Sequence, residues 1–406
     1  MIEPSLLDRA HALSTSDHFR AALGRVMPPR VPHSVLPRSH ASIHPKDQML
    51  LHSLAHLRDP NAAVSQYFNV ALQQYGVVWQ ILQRLFPDRL DELRVLDFAC
   101  GYGRLLRFLT LGLRPGQILA SEIQDECLAF VGERFGVATL SSFADPGRFS
   151  PDRQFDVIWV ASLFSHLPGH LFEAWLARLT ACLAPDGVLC FSVHDRRLLP
   201  AGQAFPEASG ILFQPHSENA DLETAIYGTT YVSEAYVSAT IARLCGDGHG
   251  YVRLPRLLAH EQDVYVLAAR AGKDLGGLDG FRYGGWGWVD ERRLSGDGEL
   301  YLRGWAASFD QAPLDAVDVA VDGQRMRCPT GRPREDVARW FDDPAMALSG
   351  WEFRHRIGRG RGPVRVEVSV PPEQDVGALL LAGEIERPAA LRAVPGLWTR
   401  LRGLLR

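Results

Sequence analysis

Lysine is nearly absent from this chain. Among 43 lysine and arginine residues, only Lys46 and Lys273 are lysines, and the formal net charge is −4. An acidic balance gives no reason to expect broad nucleic-acid binding, because that binding depends on positive charges that neutralise phosphates. The composition therefore directs attention to other classes of ligand.

Long apolar runs and paired cysteines are also missing. No apolar run approaches the roughly 18 residues of a membrane-spanning helix, and the segment Met1–Arg20 is too polar and charged for a signal peptide. The six cysteines form no Cys-x-x-Cys pair. We therefore predict reduced, buried thiols, no bound metal and a cytoplasmic location.

The chain is long enough for two or three domains. Its 406 residues, with 46% hydrophobic and 22% charged residues, are typical of a globular protein. The predicted units are an N-terminal helical or irregular extension (1–60), an α/β domain (61–270) containing an insertion (196–230), a linker (271–280), an all-β domain (281–386) and a basic amphipathic tail (387–406).

Strands and helices alternate in the α/β domain. Apolar positions recur at helical spacing from Asn61 to Leu85. The predicted strands are Val95–Phe98, Ile118–Ile123, Phe155–Ala161, Val188–Val193, Tyr251–Leu254 and Asp263–Ala269, and the helices between them are Asp125–Phe135, Leu171–Leu183 and Ser233–Leu244. This alternation predicts a Rossmann-like, doubly wound and mainly parallel sheet, covered by helices on both faces.

The most informative motif is a strand that ends in an acid and runs into a glycine-rich turn. It reads Asp97-Phe98-Ala99-Cys100-Gly101-Tyr102-Gly103 and is followed by a helical pattern. Strand–turn–helix units of this kind cradle nucleotide-like cofactors. Asp97 would repel a pyrophosphate but attract an amino cation, and Leu106 occupies the third glycine position of a dinucleotide fingerprint. The motif therefore favours S-adenosylmethionine (SAM) over NAD.

Several motifs in this order resemble those of class I SAM-dependent methyltransferases, over residues 60–270. Glu122 resembles the acid at the end of the second strand, Phe155–Trp159 the fourth-strand motif, and Leu183–Leu189 the turn before the fifth strand. Ala99 departs from the family, which usually has glycine there. The resemblance implies a seven-stranded sheet with an antiparallel last strand, and SAM as the methyl donor.

The resemblance also implies roles for individual residues. The Gly101 and Gly103 backbone would approach the methionine part of SAM, Asp97 would hold its ammonium, and Glu122 would hold the ribose. Ser141 or Ser142 would approach the adenine, and Ser162, Leu163 and Phe164 would border the methyl group. Tyr67 and Tyr75 either cover the cofactor or pack. The full predicted cofactor set is Asp97, Ala99, Cys100, Gly101, Gly103, Arg104, Glu122, Ile123, Ser142, Ser162, Phe164 and Tyr67.

Two histidines are candidates for a general base. His166 and His194 follow the predicted fourth and fifth strands, and ligands bind at the carboxyl ends of parallel strands. We slightly favour His194; the alternatives are a helix-start residue at His166 and a turn residue beside Asp195. His170 stands four residues after His166, but Pro168 and Gly169 argue against a regular helix there and so against a metal pair. The insertion 196–230 would cap the acceptor.

The all-β domain is similar to β-sandwich accessory modules of bacterial enzymes that assemble surface polysaccharides. The resemblance rests on Gly304-Trp305-Ala306, on Asp322-Gly323 between apolar runs, and on Gly350-Trp351-Glu352-Phe353. Asp-Gly between alternating apolar runs also predicts a hairpin. The similarity implies that the methyl acceptor is a carbohydrate or another component of the cell envelope.

Taken together, these observations predict a SAM-dependent methyltransferase that O-methylates a sugar or glycan precursor of cell-envelope polysaccharide. The alternatives are methylation of a small metabolite or lipid-linked intermediate, and a non-catalytic glycan-binding scaffold with a SAM fold. In the tail, apolar residues at helical spacing face a basic side. The tail would rest on the inner face of a membrane, dock on a partner or pack on its own chain.

Overall fold

Helices form the N-terminal part of the chain. The computed structural model describes residues 3–27, 35–215, 223–246, 248–310, 314–373 and 376–392. The first helices are α1 (Pro4–Ser14), α2 (Asp17–Val26), α3 (Arg38–Ala41), α4 (Gln48–Leu57) and the long α5 (Pro60–Leu85). The Asp59 side chain accepts a hydrogen bond from the Ala62 N–H and Pro60 occupies the first turn, which explains why α5 starts there.

A nine-stranded sheet forms the centre of the molecule. Its strands are β1 (Val95–Phe98), β2 (Ile118–Glu122), β3 (Ala138–Ser141), β4 (Phe155–Val160), β5 (Leu183–Asp195), β6 (Ile211–Gln214), β7 (Thr229–Val232), β8 (Tyr251–Leu258) and β9 (Gln262–Ala268). The helices between them are α6 (Leu106–Gly112), α7 (Asp125–Phe135), α8 (Gly169–Ala181) and α9 (Glu234–Cys245).

The strand order confirms the predicted Rossmann-like fold. Strands β3, β2, β1, β4 and β5 are parallel neighbours in that order, and β9 joins β5 antiparallel before β8 closes the edge. Strands β1, β2 and β4 are buried along their whole length. Their near-continuous apolar sequences follow from this burial, because helices cover both faces of the sheet.

Three local predictions were wrong. No strand was predicted in the insertion, but β6 and β7 form a hairpin within and just beyond it, and β7 pairs with the end of β5. Helix α8 begins at Gly169, since Pro168 stands outside the helix where its missing N–H is harmless. Strand β5 begins at Leu183, where a turn was predicted. The pairing register between β4 and β5 shifts between Phe155 and Val157, so the residues of the predicted turn are part of the strand.

Two further antiparallel sheets occupy the C-terminal region. One contains β10 (Gly285–Leu294), β11 (Glu299–Ser308) and β14 (Gly350–Arg356); the other contains β12 (Ala316–Val321), β13 (Gln324–Pro329), β15 (Val364–Glu373) and β16 (Val376–Ile385). Helix α10 (Glu335–Phe341) lies between β13 and β14 in the chain. The two sheets share one hydrophobic core, which includes Leu302, Trp351 and Val366. The predicted hairpin at Asp322-Gly323 joins β12 and β13.

Helix α5 connects this C-terminal region to the central sheet. Its residues Asn61, Ser65 and Asn69 lie one helical turn apart and face the edge strand β16. The bonds are Asn61 Nδ2 to Glu384 O (2.9 Å), Ala382 N to Ser65 Oγ (2.9 Å) and Leu379 N to Asn69 Oδ1 (3.2 Å). These side chains replace the backbone partners that an edge strand lacks.

The close approach of α5 requires glycine in β16. A Cβ atom on Gly383 would lie 2.4 Å from the Asn61 side chain.

In the ranges that the structure describes, no helix is long and apolar enough to cross a bilayer. The amphipathic pattern predicted for the tail falls mostly on 393–406, which lies outside the described residues.

Candidate active site

A cavity of about 210 Å³ lies at the carboxyl ends of β1, β2 and β4. This is the edge of a parallel sheet where ligands bind in α/β proteins. The loop after β1, the end of β2 and the segments after β3 and β4 each contribute to its walls. The predicted cofactor residues in the lining are Asp97, Ala99, Cys100, Gly101, Arg104, Glu122, Ile123, Ser142 and Ser162.

The loop after β1 turns through backbone conformations that favour glycine. Gly101 and Gly103 have φ of 53° and 73°, and Ala99 has φ of 58°. A Cβ atom on Gly103 would lie 2.6 Å from the Phe135 ring of α7, whereas one on Gly101 would meet no atom within 4 Å. Gly103 therefore packs the loop against α7, and Gly101 leaves open space above it. Ala99 adopts the left-handed conformation at an expense of about 1–2 kcal/mol.

Asp97 is a buried acid without a partner. Its side chain ends at the cavity, only 3% of the residue is exposed, and Oδ2 has no hydrogen-bond partner among the described residues. Burial, and secondarily the neighbouring Glu122, raises the pKa of Asp97 to about 8. A cationic group in the cavity would satisfy the orphaned oxygen and restore its charge, so the site fits the ammonium group of SAM.

Glu122 fastens the glycine-rich loop to the end of β2. Its Oε2 accepts a hydrogen bond from the Gly101 N–H (2.9 Å) and its Oε1 accepts one from the Ile123 N–H (2.7 Å). Burial raises the pKa of Glu122, and the backbone N–H bonds oppose that rise. Each carboxylate oxygen can accept a second bond. The carboxylate is therefore able to accept hydroxyl donors, such as those of a ribose.

The N-terminal extension forms one wall of the cavity, which the sequence did not predict. Asp47, Gln48 and Met49 lie in the lining. Asp47 accepts hydrogen bonds from the Met49 N–H (3.0 Å), at the start of α4, and from the Tyr67 hydroxyl (2.6 Å). Nearby, the His44 ring stacks on Tyr102 of the glycine-rich loop at 4.4 Å between centroids.

Tyr67 lies behind this wall rather than in it. Its hydroxyl accepts a hydrogen bond from the fully buried Arg107 (3.0 Å) and donates to Asp47. Arg107 also donates to the backbone carbonyls of His40 and Ser42. Tyr67 is thus a support for Asp47, in contrast to the direct cofactor contact that we predicted, because Asp47 lies between it and the cavity.

Three other residues that the sequence analysis named also lie outside the lining. Phe164 is fully buried in the core beneath the fourth-strand loop, where its ring packs on Phe172 and Phe191. Gly103 acts through its contact with Phe135, and Tyr75 packs on Trp79. Leu163, which was expected to border the methyl group, lies in the lining. Further lining residues that the sequence did not single out are Gln74, Gln124, Cys127, Phe143, Ala144, Leu167, Leu171, Trp175 and Ile226.

The insertion reaches the cavity through Ile226 and Tyr227. Hydrogen bonds attach Gly228 and Thr230, which follow these two residues, to the loop after β4. These bonds are Gly228 N to His166 O (2.8 Å), Thr230 N to Ser165 O (2.7 Å) and Thr230 Oγ1 to Leu167 O (2.6 Å). The insertion therefore contributes to the cavity wall and is fixed to the loop after β4.

His166 is held by the same contact between the two loops. Its Nδ1 lies 2.6 Å from the Gly228 carbonyl oxygen, and its ring stacks on Tyr227 at 4.6 Å. Because a carbonyl only accepts, Nδ1 carries the proton and Nε2 is the basic nitrogen of the neutral ring. Neither His166 nor His194 is among the residues that line the cavity, but Tyr227 connects His166 to it.

His194 belongs to a polar network at the ends of β5 and β9. Gln262 Oε1 accepts a hydrogen bond from Ser192 Oγ (2.6 Å), and its Nε2 lies 3.4 Å from His194 Nε2. Ser162 of the cavity wall also contacts Gln262, at 3.2 Å. The amide N–H thus directs a donor at His194 Nε2. In the part of the chain that the structure describes, no group of His, Cys, Asp and Glu is arranged to hold a metal ion.

Most of the central sheet and most of the cavity lining lie in a segment that is similar to a known family of domains. Residues 70–223 match the sequence model of a family described as "Methyltransferase domain". The residues present fit SAM, since Asp97 offers an unpaired carboxylate to an ammonium group and Glu122 offers acceptors to hydroxyls.

Among curated proteins, the chain is similar to trans-aconitate 2-methyltransferase of Variovorax paradoxus (strain S110). The two are 29% identical over 111 residues, which are 27% of this chain and 42% of that protein. The matched segment thus spans about two fifths of the relative's length.

Two solved methyltransferase structures are also similar to part of the chain. CalS10, an amino pentose methyltransferase from Micromonospora echinaspora, is 18% identical, with 48% of this chain and 90% of that chain covered and a TM-score of 0.35. The glycopeptide N-methyltransferase MtfA is 17% identical, with 46% and 86% covered and a TM-score of 0.33.

Proposed function

We propose that this protein transfers the methyl group of SAM to a hydroxyl group of a sugar or glycan precursor of cell-envelope polysaccharide, in the cytoplasm. The observation that carries the proposal is the charge of the cavity wall. The wall contains three acidic side chains (Asp47, Asp97 and Glu122), of which Asp97 keeps its proton until a cation binds, and one guanidinium (Arg104). Such a wall attracts a cationic cofactor and disfavours a polyanionic acceptor.

On the cofactor side, each wall residue has a distinct task. When bound, SAM supplies a methyl group on a positively charged sulfur, so the protein has to align the reactants rather than activate the donor. Asp97 holds the ammonium group, Glu122 holds the ribose hydroxyls, and Ile123 lies against the adenine. Asp47, fixed by Tyr67, adds negative charge on the N-terminal side.

On the acceptor side, the insertion and the loop after β4 exclude water and orient the hydroxyl. His166 is the better candidate for the general base, because its bond to the Gly228 carbonyl leaves Nε2 as the basic nitrogen. The corresponding nitrogen of His194 faces the Gln262 amide. In this scheme the acceptor proton passes to His166 Nε2, and Gln262 and His194 support Ser162.

The test has a cofactor arm and a product arm. Calorimetry is expected to show SAM binding, and incubation with an envelope glycan pool is expected to release S-adenosylhomocysteine. His166→Gln should reduce turnover roughly 10²-fold or more with SAM affinity unchanged, whereas His170→Gln, a neighbouring exposed histidine, should not. Envelope glycans from cells without the gene should be one methylene lighter; unchanged masses would refute the proposed acceptor.

The C-terminal sheets are proposed to be an accessory module for the glycan, joined through the linker 271–280. Support comes from the contacts of β16 with α5, which place both sheets beside the methyltransferase domain. The predicted membrane or partner contact of the tail stays a proposal. Equal co-sedimentation of full-length and tail-deleted protein with anionic liposomes would refute the membrane contact.

A second candidate function is methylation of a small acidic metabolite. The partial similarity to trans-aconitate 2-methyltransferase favours it. An acidic acceptor would need positively charged side chains in the cavity wall in addition to Arg104. Release of S-adenosylhomocysteine with a pool of small organic acids, and none with the glycan pool, would select this candidate; absence of SAM affinity would instead favour the scaffold alternative.

A further inference from the structure

A second cavity of about 310 Å³ lies between the methyltransferase domain and the C-terminal sheets. One wall comes from the end of β5, the turn between β8 and β9 and the start of β9. The other comes from the end of β11, the end of α10 and the segment after it. The lining includes Asp195, Arg256, His260, Asp263, Tyr283, Phe309 and Phe341.

The charges in this cavity are neutralised by neighbours. Asp263, 1% exposed, accepts a hydrogen bond from Arg253 Nε (2.8 Å) and another from the Arg256 N–H (2.8 Å). Asp195 accepts from Arg253 Nη2 (2.7 Å) and from Arg197 Nε (2.9 Å). A cation would find these carboxylates already paired. The lining also contains Arg197, Arg256 and Asp343, so that together with Arg253 three arginines balance the three acids. The cavity therefore suits an uncharged ligand that hydrogen-bonds.

Aromatic rings form part of the remaining surface, beside Leu198, Pro255 and Met346. Phe309 stacks on His260 at 4.1 Å, and Phe341 packs edge-on against Phe309 at 5.0 Å. Burial lowers the pKa of His260 to about 3, so this ring is neutral. Burial, with Asp263 and Asp310 nearby, raises the pKa of Tyr283 to about 12, so its hydroxyl remains a donor. Apolar ring surface beside neutral donors and acceptors is complementary to a sugar, which has C–H faces and hydroxyl edges.

The turn that carries His260 is strained, and α5 holds it in place. Arg256, Ala259 and His260 have φ of 52°, 53° and 57°, in the left-handed region. Gln73 of α5 accepts a hydrogen bond from the Ala259 N–H (2.6 Å) and contacts His260 Nε2 (3.0 Å). Backbone strain of this kind persists only where surrounding contacts impose it, and it concentrates at ligand sites.

We propose that this second cavity binds an uncharged sugar unit of the acceptor. The location supports the assignment, because Asp195 and Asp263 directly follow His194 and Gln262 in the chain, at the same edge of the sheet as the cofactor cavity. An acceptor of two or more sugar units would place its reacting unit against Ser162 and Tyr227 and another unit in the second cavity. The inference rests on the proposed function for the identity of the ligand.

The test measures sugar binding by the full chain. Saturation-transfer difference NMR is run with the methyl α-glycosides of mannose, galactose, rhamnose and N-acetylglucosamine, with millimolar affinity expected for one sugar unit. Phe341→Ala should weaken binding roughly tenfold, since it removes a ring face from the cavity. Trp340→Ala, which removes a 62% exposed ring from the same helix outside the lining, should leave binding unchanged.

A conservative variant guards against loss of folding. Tyr283→Phe keeps the ring and removes only the hydroxyl, so it should weaken binding without changing the melting temperature. Binding that is absent from the wild-type protein for every glycoside, or that is equal in the wild-type, Phe341→Ala and Tyr283→Phe proteins, would overturn the inference.

Calorimetry with SAM on the same samples separates this inference from the proposed function. The variants at the second cavity should bind SAM as the wild type does. Sugar binding lost in Phe341→Ala, in a protein that does not bind SAM, would support the sugar site and refute the methyltransferase proposal. Normal SAM binding without sugar binding would refute the sugar site alone.

Discussion

The two cavities of this molecule both contain buried carboxylates, but only one of them leaves a carboxylate without a partner. In the cofactor cavity, Asp97 has an orphaned oxygen and a pKa raised to about 8. In the second cavity, Asp195 and Asp263 are both bound to Arg253. The difference shows that a buried acid has one of two effects. An unpaired acid favours the binding of a cation, whereas a paired acid stabilises the fold and leaves a neutral surface.

The largest expected effect concerns the paired acid. Asp263→Ala should lower the free energy of unfolding by about 3 kcal/mol, because it removes a partner from the buried Arg253 guanidinium. Chemical denaturation measures this change. Asp186→Ala is the matched control: Asp186 also pairs with an arginine, Arg270 at 2.7 Å, but its side chain is 56% exposed. The control should change stability by less than about 0.5 kcal/mol, and equal losses would contradict the comparison.

The next effect concerns the unpaired acid. Asp97→Asn should weaken SAM binding roughly hundredfold, since it removes a charged partner of the ammonium group worth about 1.5–3 kcal/mol. It should not lower the melting temperature of the cofactor-free protein, because no bond of the folded chain is lost. Titration calorimetry and thermal unfolding measure both quantities. A large loss of stability with unchanged SAM affinity would reverse the roles assigned to the two acids.

The pH dependence of SAM binding follows from the same acid. The pKa of Asp97 is raised from an ordinary value near 4 to about 8, so the folded protein keeps a proton that the unfolded chain loses, and stability should fall as pH rises between these values. Binding of an ammonium group requires the charged form. Below pH 8, SAM binding should therefore release a proton. The affinity for SAM should increase by up to about tenfold for each unit by which the pH rises.

Calorimetry in buffers with different ionisation enthalpies measures the proton released on SAM binding. The Asp97→Asn protein is the control and should release none. No proton release, together with an affinity that is independent of pH between 6 and 8 (roughly two units below the raised pKa), would show that Asp97 is already ionised in the cofactor-free protein.

The smallest effect concerns the strained alanine of the loop. Ala99→Gly should raise the free energy of unfolding by about 0.5–1 kcal/mol, because glycine adopts a φ of 58° without steric conflict. Ala120→Gly, in the middle of β2, should lower it by about 1 kcal/mol or more. Denaturant unfolding distinguishes the two. A destabilised Ala99→Gly protein would show that the Ala99 methyl group makes contacts worth more than the strain.

Local motifs were predictable and long-range contacts were not. The order Asp97, Gly101, Glu122 was sufficient to predict a parallel sheet and a SAM site, because the strand, the turn and the following helix are specified by adjacent residues. The wall formed by Asp47 and Gln48 depends on α4 folding back over the loop. Nothing in the local sequence of α4 indicates which surface it covers.

The acceptor side shows the same limit. The hairpin of β6 and β7 was missed because its strands are four residues each and lie in a polar, proline-containing segment. Both histidines were found by their positions after strands, but their tautomers depend on Gly228 and Gln262, which are 62 and 68 residues away in the chain. The sequence therefore pointed to the two histidines but not to the partners that decide which nitrogen carries the proton.

Helix α5 makes the molecule less modular than its division into two regions suggests. This one helix supplies Gln74 to the cofactor cavity and Gln73 to the turn that carries His260. It also supplies Asn61, Ser65 and Asn69 to β16. Exchange of the C-terminal sheets for another β module would therefore leave three polar side chains of α5 without partners. Recombination between relatives is expected to conserve this helix and β16 as one inherited unit, with the junction elsewhere.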